Sequence, residues 1–208
     1  MTAPEIELRT VWRRVAGPRH ELLIEGLLAR HREPHRRYHT ATHVMWVCRH
    51  VTELMSHHPV DDAGVLLAAA LFHDAVYDPT SSDNEWHSAE LADRHLNDVG
   101  WEAERRASVH RLVMCTAHHE PGALDEAVLV DADLAILGSP AHEYGPYTTA
   151  VRAEYAHLDD ITWRRGRAQV LEHFLAQGHI YATLTMRDAR EARARANLIA
   201  ELATLRAG

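Results

Sequence analysis

Two blocks thirty residues apart, Tyr38-His39-Thr40-Ala41-Thr42-His43 and Leu71-Phe72-His73-Asp74-Ala75-Val76-Tyr77-Asp78, hold the residues best suited to chemistry. The His73-Asp74 doublet ends an apolar run, and ionisable groups in such surroundings are costly unless a partner or a metal takes them up. A metal needs imidazole nitrogens and carboxylate oxygens brought from separate elements to one point, with positions left for water or substrate. His43, His73 and Asp74 supply such donors, and Asp131 or Asp133, within a third apolar segment, supplies another. Asp131 and Asp133 stand two apart and therefore point about 200° apart on a helix, which leaves the choice between them open. The ordered set His, His-Asp, Asp points to a metal site in the core.

The elements that must position these groups are helical almost throughout, with no convincing alternation of period two. Gly17-Pro18 separates helices expected at 5–16 and 19–31, and Glu33-Pro34 ends the second. An apolar stripe of Val44, Val47, Val51, Leu54 and Met55 predicts a helix over 40–57, with His39 and His43 four apart on one face at its start. Asp61 is a good cap for a near-continuous apolar helix over 63–75, the buried centre of a bundle, which delivers His73 and Asp74 at its end. Ser82 and Glu85 fit a capping box for a helix over 84–98, closed by Gly100. Further helices are expected over 102–117, 125–137, 146–157, 163–176 and 186–206. The fold class is all-α: a helical bundle of about nine to ten helices forming one domain over residues 1–208, a length sufficient for a well-buried core.

Composition narrows the chemistry. The chain has 22 basic against 30 acidic residues and a formal net charge of -8, so no nucleic-acid polymer is expected as partner. All the basic residues are Arg; the absence of Lys removes a phosphate-loop lysine, a Schiff-base lysine and a lysine general base. Cys48 and Cys115 are isolated, which suggests neither a disulfide framework nor a cysteine zinc site and gives a reducing cytoplasm as the expected compartment. No apolar run approaches the roughly 18 residues of a membrane span, so no membrane is expected as partner. Histidine is in excess, at 18 residues. Most of them, such as His20, His31, His57, His95, His157 and His173, lie in polar surroundings and read as solvated.

With these residues in place, the chain resembles the HD-domain superfamily of metal-dependent phosphohydrolases. It is most similar to a small bacterial branch described only as predicted phosphohydrolases of that kind. Beyond the ligand set, the likeness runs through Glu33-Pro34-His35-Arg36-Arg37-Tyr38-His39, Asp83-Asn84-Glu85 with Ser88-Ala89, Asp131-Ala132-Asp133-Leu134 to Leu137-Gly138, Arg152-Ala153-Glu154-Tyr155 and Ala196-Asn197-Leu198, nearly the whole chain. The resemblance implies His43, His73 and Asp74 as metal ligands. The superfamily's closing Ala-Asp matches Ala132-Asp133 and implies Asp133 as the fourth, leaving Asp131 as a cap or an orienting group.

It also implies the reaction: a divalent transition metal (Mn, Fe, Co, Ni or Zn) activates a water against a phosphoester in a small phosphorylated molecule, such as a nucleotide. Without Lys, Arg36 or Arg37 must supply the countercharge, since guanidinium binds phosphate bidentately. Asp78 and Glu85 are placed to orient the water or take its proton. His39, Asn84, His118 and His119 complete the expected substrate contacts, and a homodimer is left open. Two alternatives stand beside this one. A di-iron oxygenase of HD type would recruit His118 or His119 to a second metal, and a non-catalytic metal- or nucleotide-binding module would keep the ligands without the reaction.

Overall fold

The computed structural model describes residues 1–18 and 20–207, and all regular structure among them is helical. The chain divides into two compact units, Met1–Asp133 and Leu134–Gly208. The first holds α1 (Ala3–Ala16), α2 (Glu21–Arg30), α3 (Ala41–Met55), α4 (Ala63–Phe72), α5 (Asn84–Asp98), α6 (Ala103–Cys115) and α7 (Leu124–Asp133). The second holds a 3-10 turn (Leu134–Gly138), α8 (Ala141–Glu154), α9 (Asp160–Ala176), the single turn α10 (Leu184–Met186), a π-helical turn (Arg187–Glu191) and α11 (Ala192–Ala207). The expected start of the second helix, residue 19, lies outside the described residues. No helix among them is long and apolar enough to cross a membrane.

Helix α4 is the centre of the first unit. Val65 to Phe72 are all buried, as an all-apolar helix requires, and α4 touches α1, α3, α5, α6 and α7. Its start is fixed by Asp62 rather than the expected Asp61: the Asp62 carboxylate accepts the N–H groups of Gly64 and Val65 at 2.8 and 3.1 Å. The same carboxylate takes a two-pronged pair from Arg105 of α6, at 2.6 and 2.9 Å. One side chain thus starts the helix and ties it to its neighbour.

The helix was expected to reach residue 75 but stops at Phe72. The carbonyls of Asp74 and Ala75 are turned to the buried Arg36 guanidinium, and the Val76 N–H goes to the Ser88 hydroxyl at 2.9 Å. Helix α7 likewise ends at Asp133, where the expectation ran to 137; the chain tightens there into the 3-10 turn. Helix α8 starts at Ala141 and carries Pro146 inside it, five residues before the expected start implied. The Ser82–Glu85 capping box does not form, because Asp83 is the residue preceding α5 and its side chain makes no capping bond.

In the second unit, the Asn197 amide donates to the carbonyls of Leu137 and Ser139, and Arg190 and Arg193 donate to those of Ala135 and Gly138. These bonds hold the 3-10 turn against the last helical stretch.

Removing the α4 cap should be measurable. Asp62→Ala is expected to lower unfolding free energy by about 1–2 kcal/mol in urea denaturation, and Asp62→Asn by less, since the amide still caps. The Arg105 guanidinium holds the Asp62 carboxyl below its usual value, so this contribution is complete above about pH 4 and fades as pH falls below it. The gap between wild type and Asp62→Ala should therefore narrow in acid.

Candidate metal centre

Three helices of the first unit deliver the ligand candidates. His43 lies in the first turn of α3, where Thr40 starts the helix and its hydroxyl accepts the Thr42 N–H. His73 closes α4, Asp74 follows it, and Asp133 is the last residue of α7. The Nε2 atoms of His43 and His73 stand 3.1 Å apart. Asp74 Oδ2 lies 3.2 and 3.1 Å from these two nitrogens, and Asp133 Oδ1 lies 3.2 and 3.6 Å from them. His43, His73 and Asp133 form the group among the described residues whose donor atoms can hold a metal ion.

The arrangement has the dimensions of a coordination shell. Donors bound at about 2.1 Å are separated by about 3.0 Å in an octahedron and about 3.4 Å in a tetrahedron. The protonation pattern fits as well. His73 Nδ1 is 3.0 Å from the Ala70 carbonyl, to which it must donate, so in the neutral ring the lone pair on Nε2 faces the carboxylates.

Without a cation the same groups are electrostatically extreme. Burial alone would lower both histidine pKa values, but the Asp133 and Asp74 carboxylates outweigh it at His43, and Asp74 and Asp133 at His73. The result is a raised pKa at His43 and one well above the usual imidazole range at His73. Burial would raise the two carboxyls, but His73, His39 and His43 hold Asp74 well below the ordinary range, and His119, His43 and His73 do the same for Asp133. The two ring centroids are 5.2 Å apart, so two imidazolium charges there would repel by on the order of 3 kcal/mol at an effective dielectric of 20. A cation held between these donors would replace both protons and remove that repulsion. The histidine side chains are nearly inaccessible, whereas Asp74 and Asp133 keep 17 % and 16 % of their side-chain surface, so the carboxylates form the open side.

The remaining candidates separate cleanly. Of Asp131 and Asp133, Asp133 joins the group, while Asp131 is fully buried and is not a member of it. His119 reaches the site, with Nε2 3.1 Å from Asp133 Oδ2; His118 is exposed. His39 precedes the α3 cap instead of riding on the helix, and its ring stacks on Tyr77 at 4.2 Å and meets His43 edge-on at 5.6 Å. Arg37 is exposed, with a long 3.4 Å contact to the Arg36 carbonyl.

Arg36 is not a phosphate ligand at the mouth. Its side chain is fully buried, and its guanidinium donates to the carbonyls of His39, Asp74 and Ala75 at 3.0, 2.7 and 3.2 Å and to the Glu33 carboxylate at 3.1 Å. Asp78 and Asn84 are committed elsewhere too. The Asn84 amide exchanges two 2.9 Å bonds with the Asp78 backbone, and the Asp78 carboxylate accepts the N–H and hydroxyl of Thr80, so the pair builds the loop before α5. Glu85 is half-buried in the first turn of α5, outside the cluster.

Sequence reasoning missed three contributors. Tyr77 is the plate on which His39 stacks, and Tyr38 tilts against His43 at 4.7 Å. His31, expected to be solvated, is 3 % exposed, and burial together with the Arg36 charge pushes its pKa down to about 3, leaving it neutral. Tyr38 and Tyr77 lie inside the two opening blocks, which was the available signal; nothing local marked His31.

Comparison with protein-family models, curated proteins and solved structures finds no match to this chain.

Arg36 gives a sharp test. Arg36→Ala leaves the buried carbonyls of Asp74 and Ala75 without their donor and is expected to cost about 3–5 kcal/mol in chemical denaturation. Arg36→Lys keeps the charge but not the fork and should recover only part of that loss. Wild-type stability in Arg36→Ala would refute the clamp.

Proposed function

We propose that this chain is a metal-dependent phosphohydrolase of the HD superfamily, acting on a small phosphorylated molecule. The observation that carries the proposal is the convergence of His43, His73, Asp74 and Asp133 from three helices onto one point, in the order the family's motif requires. A divalent transition metal held there supplies Lewis acidity and a water of lowered pKa.

The chain's own residues do the rest. His43 and His73 close the inner side, so a substrate approaches over the carboxylates. The Ala70 carbonyl fixes the His73 tautomer. Arg36 holds the backbone on either side of the ligands, and the exposed Arg37 and half-buried His39 belong to the same segment. Guanidinium pairing with phosphate oxygens is the chemistry Arg37 contributes.

His119 beside Asp133 is the observation that favours a di-iron oxygenase, because a histidine and a carboxylate oxygen side by side resemble half of a second site. That reading requires two metals per chain.

Protein purified without chelator should contain about one equivalent of a single transition metal by elemental analysis and hydrolyse at least one member of a panel of phosphorylated metabolites. Two equivalents together with oxygen consumption would favour the oxygenase, and bound metal with no turnover would favour a binding module. Asp74→Ala should lose both metal and activity with nearly unchanged helical circular dichroism. Full phosphatase activity in that variant would sink the site. Asp133→Asn is expected to reduce metal content where Asp131→Asn does not.

A further inference from the structure

The turn that presents His119 is built in an uncommon way. His119 has φ 54°, and it is the one non-glycine residue with positive φ among the described residues. Its N–H bonds to the Cys115 carbonyl at 3.1 Å, which wraps the chain back at the end of α6. The left-handed region is uncommon for any residue but glycine, although histidine enters it more readily than most. Gly122 lies three residues on, yet the reversal is made at the histidine. What the conformation achieves is the delivery of the imidazole to Asp133. Its neighbour His118 stays exposed.

The contact is with one particular oxygen. His119 Nε2 engages Asp133 Oδ2, while Oδ1 of the same carboxylate faces the Nε2 atoms of His43 and His73. A carboxylate at the end of an aspartate rotates easily, because its terminal torsion is broad and two-fold. Fixing one oxygen removes that freedom and aims the other.

We propose that His119 is a positioning residue that holds Asp133 with Oδ1 turned to the metal, and that its left-handed backbone is retained for this purpose. The proposal rests on the metal reading of the cluster and is independent of the reaction it catalyses. Groups that hydrogen-bond to a metal's ligands contribute about 10–100-fold to metal affinity without touching the metal.

The test is a calorimetric titration of the full-length, metal-stripped chain with Mn²⁺, comparing wild type, His119→Gly, His119→Asn, Asp133→Asn and the double variant His119→Gly/Asp133→Asn. Glycine and asparagine both accept the left-handed conformation, so the turn survives while the imidazole is lost. The expected result is a Mn²⁺ affinity about 10–100-fold weaker in both His119 variants at unchanged stoichiometry. Helical circular dichroism of the metal-free His119→Gly and His119→Asn variants should match wild type, showing that the turn survives and only the imidazole is lost. The double variant should bind no more weakly than Asp133→Asn alone, since His119 acts only through that carboxylate.

Unchanged affinity in the His119 variants, or additive losses in the double variant, would overturn the proposal. So would the loss of a whole metal equivalent, which would make His119 a ligand. A wild-type chain that binds no Mn²⁺, nor Co²⁺ or Zn²⁺ in parallel titrations, would remove the metal reading and this proposal with it. That failure shows in the wild type; failure of the proposal alone shows only in the variants.

Discussion

A single buried guanidinium joins the two segments on which the site is built. Arg36 sits between the chain entering α3 and the chain leaving α4, donating to the His39 carbonyl on one side and to those of Asp74 and Ala75 on the other. A buried cation is tolerable only when its donors are satisfied, and here they are met by backbone carbonyls and by Glu33. The planar fork suits this work because its N–H directions are fixed; an ammonium presents one point and cannot span carbonyls on separate strands of chain. The early end of α4, and with it the direction in which His73 and Asp74 leave the helix, follows from this one interaction.

What Arg36 brings together is a set of groups that makes little sense as an ordinary polar core. Two imidazole nitrogens in near contact, each also close to two carboxylates, form an arrangement in which every proton is contested. A cation would resolve it, because the negative charges and lone pairs could then share one centre. The outer groups are arranged to preserve this: the Ala70 carbonyl takes the far nitrogen of His73, and His119 takes the far oxygen of Asp133. Each thereby settles which atom of its partner faces inward.

Much of this was legible in the sequence, and the parts that were not have a common cause. Helix positions followed from periodicity, and the wholly apolar character of 65–72 correctly marked α4 as central. The ligand candidates were visible as polar residues ending apolar runs. Arg36 and Arg37 could not be told apart, because the acceptors that bury Arg36 are carbonyls 38 and 39 residues away, which no local pattern reports. His118 and His119 are likewise adjacent and identical in type, and a single backbone dihedral separates their fates. His31 looked solvated because Arg30 and Arg32 flank it in sequence, but the fold buries it beside the Arg36 guanidinium. Asp78, Asn84 and Glu85 were read as chemistry where the first two bind each other to shape a loop. Residue type and spacing give the donors; which donors are already spent is decided by tertiary contacts.

The ends of the helices add a term of their own. Helices α4 and α7 both terminate at the cluster, at His73 and Asp133, whereas α3 begins there with His43 in its first turn. Each terminus carries roughly half an elementary charge, negative at a carboxyl end and positive at an amino end. Two negative ends against one positive leave the backbone alone with a net negative field where the four side chains meet. The peptide dipoles at two of the three ends thus favour positive charge, and at the end of α4 the Arg36 guanidinium already supplies some of it.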